Sequence, residues 1–366
     1  MHRFPKTLSC VAFSIAMLGC KSSGAPTDDG LCARDVEPLS ASVHRGMSLA
    51  HNYQHAGARG YGSPTSDATL QELADVGVEW VSLTPFGFMR SLDEPRVHFI
   101  GDYRGGETDA RMEEVLDQAK ARGLRVLLKP HLWIARGEWR GNIDFARPAD
   151  WQRWFDSYER WILHYADMAQ RNEVAAFVIG VEFRSSQRAH QDRWRDLARK
   201  VRERYDGKLT YAANWDDAAE VSWWDAVDYI GVQFYPPVAN GGVPKLASVR
   251  ESLTSNLDAI ETVSRRFDRP VLFTEVGYRA ADDALEHPHQ WPERSRAAAP
   301  NPSVQELGYR AFVSAIRNRP WVKGVYWWKW FTDPATDEEG SAGFSPRGRP
   351  AERVLRAAYG GLCRPL

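Results

Sequence analysis

"DWQRWFDSYERWILHYADMAQRNEVAAFVIGVEF", residues 150 to 183, holds two periodicities in succession. Through Gln170 the large apolar residues Trp151, Trp154, Phe155, Tyr158, Trp161, Ile162 and Tyr165 fall three and four apart, the spacing of one packing face of an α-helix. From Ala175 a short, nearly unbroken apolar run follows and reads as a strand. A helix that packs by one stripe and hands over to a strand is the repeating unit of an α/β fold.

Working outward, the same alternation recurs along the chain. Eight apolar runs are found: "HRGMSLA" (44–50), "EWVSLTPFGF" (79–88), "LRVLLKPHLW" (124–133), "AAFVIGVEF" (175–183), "LTYAANW" (209–215), "VDYIGVQFY" (227–235), "VLFTEVGY" (271–278) and "KGVYWWKW" (323–330). Helical patterns such as "SDATLQELADVG", "DARMEEVLDQAKARG" and "RWRDLARKVRERYDG" lie between them, each closing on Gly as a C-cap would. Only "DDAAEVSWWDA", between runs five and six, is too short for more than a brief helix. Eightfold β/α alternation with no interdomain linker or internal repeat predicts a single-domain (β/α)8 TIM barrel over residues 41–366. A doubly wound open sheet is the alternative, but no glycine-rich phosphate loop follows the first run.

The chain has 366 residues, 43% hydrophobic and 26% charged, enough for one large core. Lys and Arg total 47 against 48 Asp and Glu, so no basic field gathers nucleic acid. Fifteen Trp serve either a core or flat ligands that stack on indole. At the amino end, Arg3 and Lys6 precede an apolar stretch from Leu8 to Leu18, the pattern of an export signal over residues 1–20. Its ending "MLGC" resembles a bacterial lipobox, which makes Cys20 the expected site of lipidation and the protein an exported, membrane-anchored lipoprotein, periplasmic or on the cell surface. Residues 21–40 read as a flexible tether. Export places Cys32 and Cys363 in an oxidising compartment, where a disulfide joining the two ends is plausible.

In a parallel barrel the chemistry sits at the carboxyl ends of the strands. The seventh run delivers Glu275 there, a side chain that seldom goes inside without a partner or a task. The fourth closes on Glu182 at the equivalent height. A retaining glycosidase uses such a pair, one carboxylic acid protonating the leaving oxygen while the other attacks the anomeric carbon.

The stretches "LLKPHLW", "EWRGNI", "VIGVEF", "GVQFYPP", "FTEVGY" and "YWWKW" resemble clan A of the glycoside hydrolases, and most of all family 113, whose relatives are β-mannanases. That resemblance implies Glu182 as acid/base, Glu275 as nucleophile, Tyr235 as the hydroxyl on the nucleophile, and Trp328 or Trp330 as the platform beneath the sugar. One departure is Val181, where the clan sets an Asn that binds the substrate 2-hydroxyl; Asn214 or His131 is then the replacement donor.

Lys129, His131 and Trp133 at the third run, Trp139 and Arg140 in the loop behind it, and Asn214 and Trp215 after the fifth are the further candidates for substrate contact. The bland alternative for each aromatic is core packing, and for Lys129 and His131 structural pairing with a carboxylate. "HPH" at 287–289 looks metal-like but lies in a loop with Pro288 and Pro292, and His51 and His55 are four apart where a metal-dependent barrel hydrolase needs a His-x-His pair ending the first strand, so neither metal nor cofactor is expected. The expected activity is hydrolysis of a β-linked carbohydrate, most of all β-1,4-mannan, by a monomer. A noncatalytic glycan-binding lipoprotein on the same scaffold is the rival.

Overall fold

The computed structural model describes residues 32–363 apart from 34, 54–55, 100–106, 242–243, 292–297 and 335–338. The expected signal, Cys20, the tether up to residue 31, and His55 lie outside the described residues.

Ten strands are described, and eight of them close into a parallel barrel. They are β1 (His44–Ala50), β2 (Trp80–Leu83), β3 (Phe86–Met89), β4 (Arg125–Leu128), β5 (His131–Ile134), β6 (Ala176–Val181), β7 (Lys208–Asn214), β8 (Tyr229–Phe234), β9 (Val271–Val276) and β10 (Val322–Phe331). Around the barrel the order is β1-β10-β9-β8-β7-β6-β4-β2, while β3 and β5 pair only with each other. The architecture is the expected single-domain (β/α)8 barrel.

Each of the second and third runs divides in two, and proline is the reason. Pro85 and Pro130 carry no N–H for the ladder and restrict the residue before them, so both barrel strands end there. Beyond the prolines the chains pair again as β3 and β5, with Phe86 opposite His131 and Phe88 opposite Trp133. This small sheet forms a wall above the barrel.

The helices are α1 (Ala56–Arg59), α2 (Pro64–Val76), α3 (Asp109–Ala121), α4 (Pro148–Arg171), α5 (Arg184–Ala189), α6 (Gln191–Arg202), α7 (Leu246–Phe267), α8 (Pro302–Ile316) and α9 (Pro350–Tyr359). Ser63 caps α2 through its hydroxyl, and Gly77 ends the helix at φ 94°, a conformation that a Cβ disfavours. The aromatic stripe of α4 is buried as its periodicity requires, with Trp154, Tyr158, Trp161 and Ile162 fully covered. Tyr158 Oη donates to the Ile179 carbonyl (2.9 Å) and so ties α4 to β6. The short connection between β7 and β8 makes two 3-10 turns, Ala218–Glu220 and Trp224–Ala226.

Inside the barrel, Trp80, Leu127, Ala176, Val178, Val181, Ala212, Leu272 and Tyr326 form their own core, separate from the larger one between strands and helices. Burial of such side chains stabilises by about 1.5–3 kcal/mol each before chain entropy is counted.

The packed domain begins at Cys32, earlier than the tether boundary at residue 40 expected from composition. Leu39 is buried and its amide donates to the Ala358 carbonyl (2.8 Å), while Asp35 and Glu37 pair with Arg310 and Arg317. Cys32 and Cys363 are joined in a disulfide with their Cα atoms 5.1 Å apart. Leu362 donates to the Asp75 carbonyl at the end of α2 (3.0 Å), and Arg45 at the start of β1 reaches the Tyr359 carbonyl. Both ends of the described chain therefore rest at the amino end of the barrel, opposite the mouth. Among the described residues, no helix is long and apolar enough to cross a membrane.

Candidate active site

Glu275 stands on β9 in the barrel mouth and is only 6% exposed. Its two oxygens are held differently. Lys129 Nζ, fully buried at the end of β4, donates to Oε1 at 2.6 Å and to the Thr274 carbonyl at 2.9 Å. Tyr235 Oη donates to Oε2 at 3.0 Å. Burial, with Glu275 adding to it, pushes the Tyr235 phenol well above its ordinary range, so it keeps the proton it donates. His131 Nε2 lies 3.5 Å from Glu275 Oε1. Burial first, then the charges of Arg140 and Lys129, hold that imidazole well below the usual histidine range, so the contact is one with a neutral ring. For Lys129, burial lowers the pKa while the charge and hydrogen bond of Glu275 act against it.

Glu182 is dressed in the opposite way. It follows β6 with φ 60°, and its amide donates to the Ala212 carbonyl at 2.8 Å. Burial pushes its carboxyl above the ordinary range, Arg140 acts against that, and the neighbouring charge of Glu275 raises it further. Trp139 Nε1 donates to Oε2 at 3.3 Å and Arg140 Nε stands 3.8 Å from the same oxygen. The loop carrying both is anchored to α5 just beyond Glu182. The Arg184 guanidinium lies 5.0 Å over the Trp139 ring and pairs with buried Asp217 (2.7 Å), and Ser185 donates to the Gly141 carbonyl (2.9 Å). One carboxylate sits against an ammonium and a phenol, the other in an indole-lined site that favours its protonated form.

The remaining candidates divide between the mouth and the core. Trp328 stacks parallel to His131 at 6.1 Å with Lys129 5.8 Å from its ring, which puts it in the mouth. The Trp328–Lys329 peptide is cis. Asn214 closes β7 with its side-chain Nδ2 buried and without a hydrogen-bond partner among the described residues. Trp133 is 42% exposed on the same face of the wall as His131. Trp215 is half-buried against the helix-sheet core. Trp330 corrects the sequence expectation: it is fully buried on the outside of the barrel, with Arg347 4.9 Å over its ring, and is no platform. Val181 points into the barrel core and offers the site nothing polar.

Sequence reasoning passed over Trp291, which lies in the irregular insertion after β9. It is 39% exposed, meets Trp328 edge-to-face at 6.3 Å, and shares with it the Lys329 ammonium, which pairs with Glu339 at 2.7 Å. An aromatic in an insertion at the mouth was the available signal.

The family model of Glycoside Hydrolase Family 113 matches residues 51–345. A solved family 113 β-1,4-mannanase superposes with a TM-score of 0.75 at 26% identity, covering 89% of this chain and 100% of its own. The family 113 β-mannanase from Alicyclobacillus acidocaldarius, in complex with ManMIm, gives 0.75 at 26% identity, over 89% of this chain and 98% of its own. A β-glucuronidase from Ruminococcus gnavus, 13% identical with a TM-score of 0.57, shares the fold over 86% of this chain and 49% of its own. No curated sequence matches the chain.

Proposed function

The chain belongs to glycoside hydrolase family 113, and from that premise we propose that it is a retaining β-1,4-mannanase with Glu275 as nucleophile and Glu182 as acid/base. The observation that carries the reading is the unequal dressing of the two glutamates. Glu275 accepts a hydrogen bond from the Lys129 ammonium on one oxygen and from the Tyr235 phenol on the other, which fix both oxygens for attack. Glu182 is pushed toward its protonated form by burial.

In the first step Glu275 attacks the anomeric carbon as the glycosidic C–O bond breaks, and Glu182 passes its proton to the departing oxygen. Glu182, now a carboxylate, then takes a proton from water as that water displaces Glu275, and two inversions leave the β configuration intact. Tyr235 and Lys129 hold the attacking oxygens in place. Trp328 supplies an apolar face for the sugar, with Trp139 and Arg140 above the leaving-group side. Asn214 replaces the clan's missing amide as donor to the 2-hydroxyl, a role supported by its unpartnered Nδ2 on the strand next to β6.

The test is the anomeric form of the first product on β-1,4-mannan, followed by proton NMR before mutarotation. A β product is expected, and an α product overturns the assignment of Glu275. In parallel, Glu182→Ala should still cleave aryl mannosides with good leaving groups and be accelerated by azide, whereas Glu275→Ala should not.

A further inference from the structure

The wall made by β3 and β5 does more than close one side of the mouth. Its alternation places Phe86, Phe88, His131 and Trp133 on one face, running outward from Glu275, with Phe86 5.5 Å from His131 and 6.4 Å from Trp133. At the outer end, Phe88 and Trp133 line a pocket of about 530 Å³ between the wall and α4. Arg90, Arg96 and Arg160 complete its rim. All three are exposed, and among the described residues none forms a salt bridge, although the charge of Arg90 acts on the nearby Glu94 carboxyl. The neighbouring Glu94 is already engaged, with one oxygen at His98 Nε2 (2.8 Å) and the other on the Arg90 amide (2.9 Å).

An aromatic face next to three exposed guanidinium groups that form no salt bridge among the described residues fits a sugar ring that carries negative charge. A neutral chain gives the arginines no partner. We propose that this pocket is a distal subsite for an anionic group, a carboxylate or a sulfate ester, borne on the glycan chain cleaved at the mouth. The inference rests on the β-mannanase reading and adds to it that acidic decorated chains are the preferred substrates. Trp133 orients the ring, and the arginines select its charge. Because the guanidinium groups are exposed, their contribution is screened by salt.

The experiment compares three substrates of equal chain length: neutral β-1,4-mannan, the same mannan partly oxidised to the acid at C6, and the same mannan partly sulfated. At low ionic strength kcat/KM should be about tenfold higher on one or both acidic substrates, a few-fold effect from each exposed charge. The preferred arm identifies the anion. In the triple variant Arg90→Ala/Arg96→Ala/Arg160→Ala the preference should vanish while activity on neutral mannan and the melting temperature stay unchanged, and in the wild type it should shrink in about 1 M salt. Trp133→Ala should lower kcat/KM on all three. A ratio of acidic to neutral activity that is the same in wild type and triple variant overturns the proposal. Failure of the mannanase reading shows separately, as no hydrolysis of neutral mannan by the wild type. Calorimetric binding of the acidic mannans to wild type and triple variant then still decides the pocket, with equal affinities overturning it.

Discussion

Glu182 occupies the left-handed region, which a side chain bearing a Cβ enters at a cost of roughly 1–2 kcal/mol. The surrounding contacts over-determine it: the amide bond to Ala212, the indole of Trp139 and the Arg140 charge all act on this one residue. Arg140 favours the ionised form of Glu182, so removing it should raise the carboxyl pKa. In the pH profile of kcat/KM, the alkaline limb reports loss of the acid's proton. Arg140→Met should therefore move that limb to higher pH, whatever happens to the rate itself. A limb that stays in place would detach Arg140 from Glu182. Both glutamates were legible in the sequence because each closes an apolar run in an eightfold pattern. Their dressing was only partly so: Tyr235 on Glu275 was expected from family resemblance, whereas Lys129 was read as a substrate contact or the partner of an unnamed carboxylate, because a lysine and a glutamate 146 positions apart carry no mark of pairing with each other.

At the scale of elements, three strands bearing mouth residues each contain one residue more than their neighbour. Val178 to Val181 on β6 faces Thr210 to Ala212 on β7, Phe273 to Glu275 on β9 faces Val232 to Gln233 on β8, and Trp327 to Trp330 on β10 faces Met47 to Leu49 on β1. Such bulges re-aim side chains and concentrate beside active sites. They also explain the error at Trp330, since strict alternation puts it on the same face as Trp328 and the extra residue turns it outward. A hydrophobic pattern records no bulge. The split of the second and third runs was more legible, because Pro85 and Pro130 stand in the sequence. The wall beyond them seats on α4 where Gly87 meets Trp161, and a Cβ there would lie 2.8 Å from the indole. Gly87→Ala should destabilise by about 1–3 kcal/mol in urea titration and displace the wall. It should raise KM on long mannan while leaving kcat on an aryl mannoside nearly intact. Unchanged stability and KM would mean that the wall accommodates the methyl group without moving.

For the molecule as a whole, barrel closure was the most legible feature, because eight alternations in one chain leave few other arrangements. The seam at the disulfide was legible only in its partners. Cys32 and Cys363 span 331 residues, a closed loop that in the chain-entropy model stabilises by about 6 kcal/mol. Cys32→Ser/Cys363→Ser should lower the urea midpoint, and reductant should do the same to the wild type, with kcat/KM unaltered because the seam lies opposite the mouth. An unchanged midpoint would show that packing of Ala33 and Leu39 against α9 holds the ends by itself.

That seam also fixes a direction in space. Cys32 itself lies at the closed floor of the barrel, so a bead or fusion partner coupled at that residue stands on the side away from the mouth. A polymer strand far longer than the protein can then be drawn across the mouth from either side without its support standing in the way.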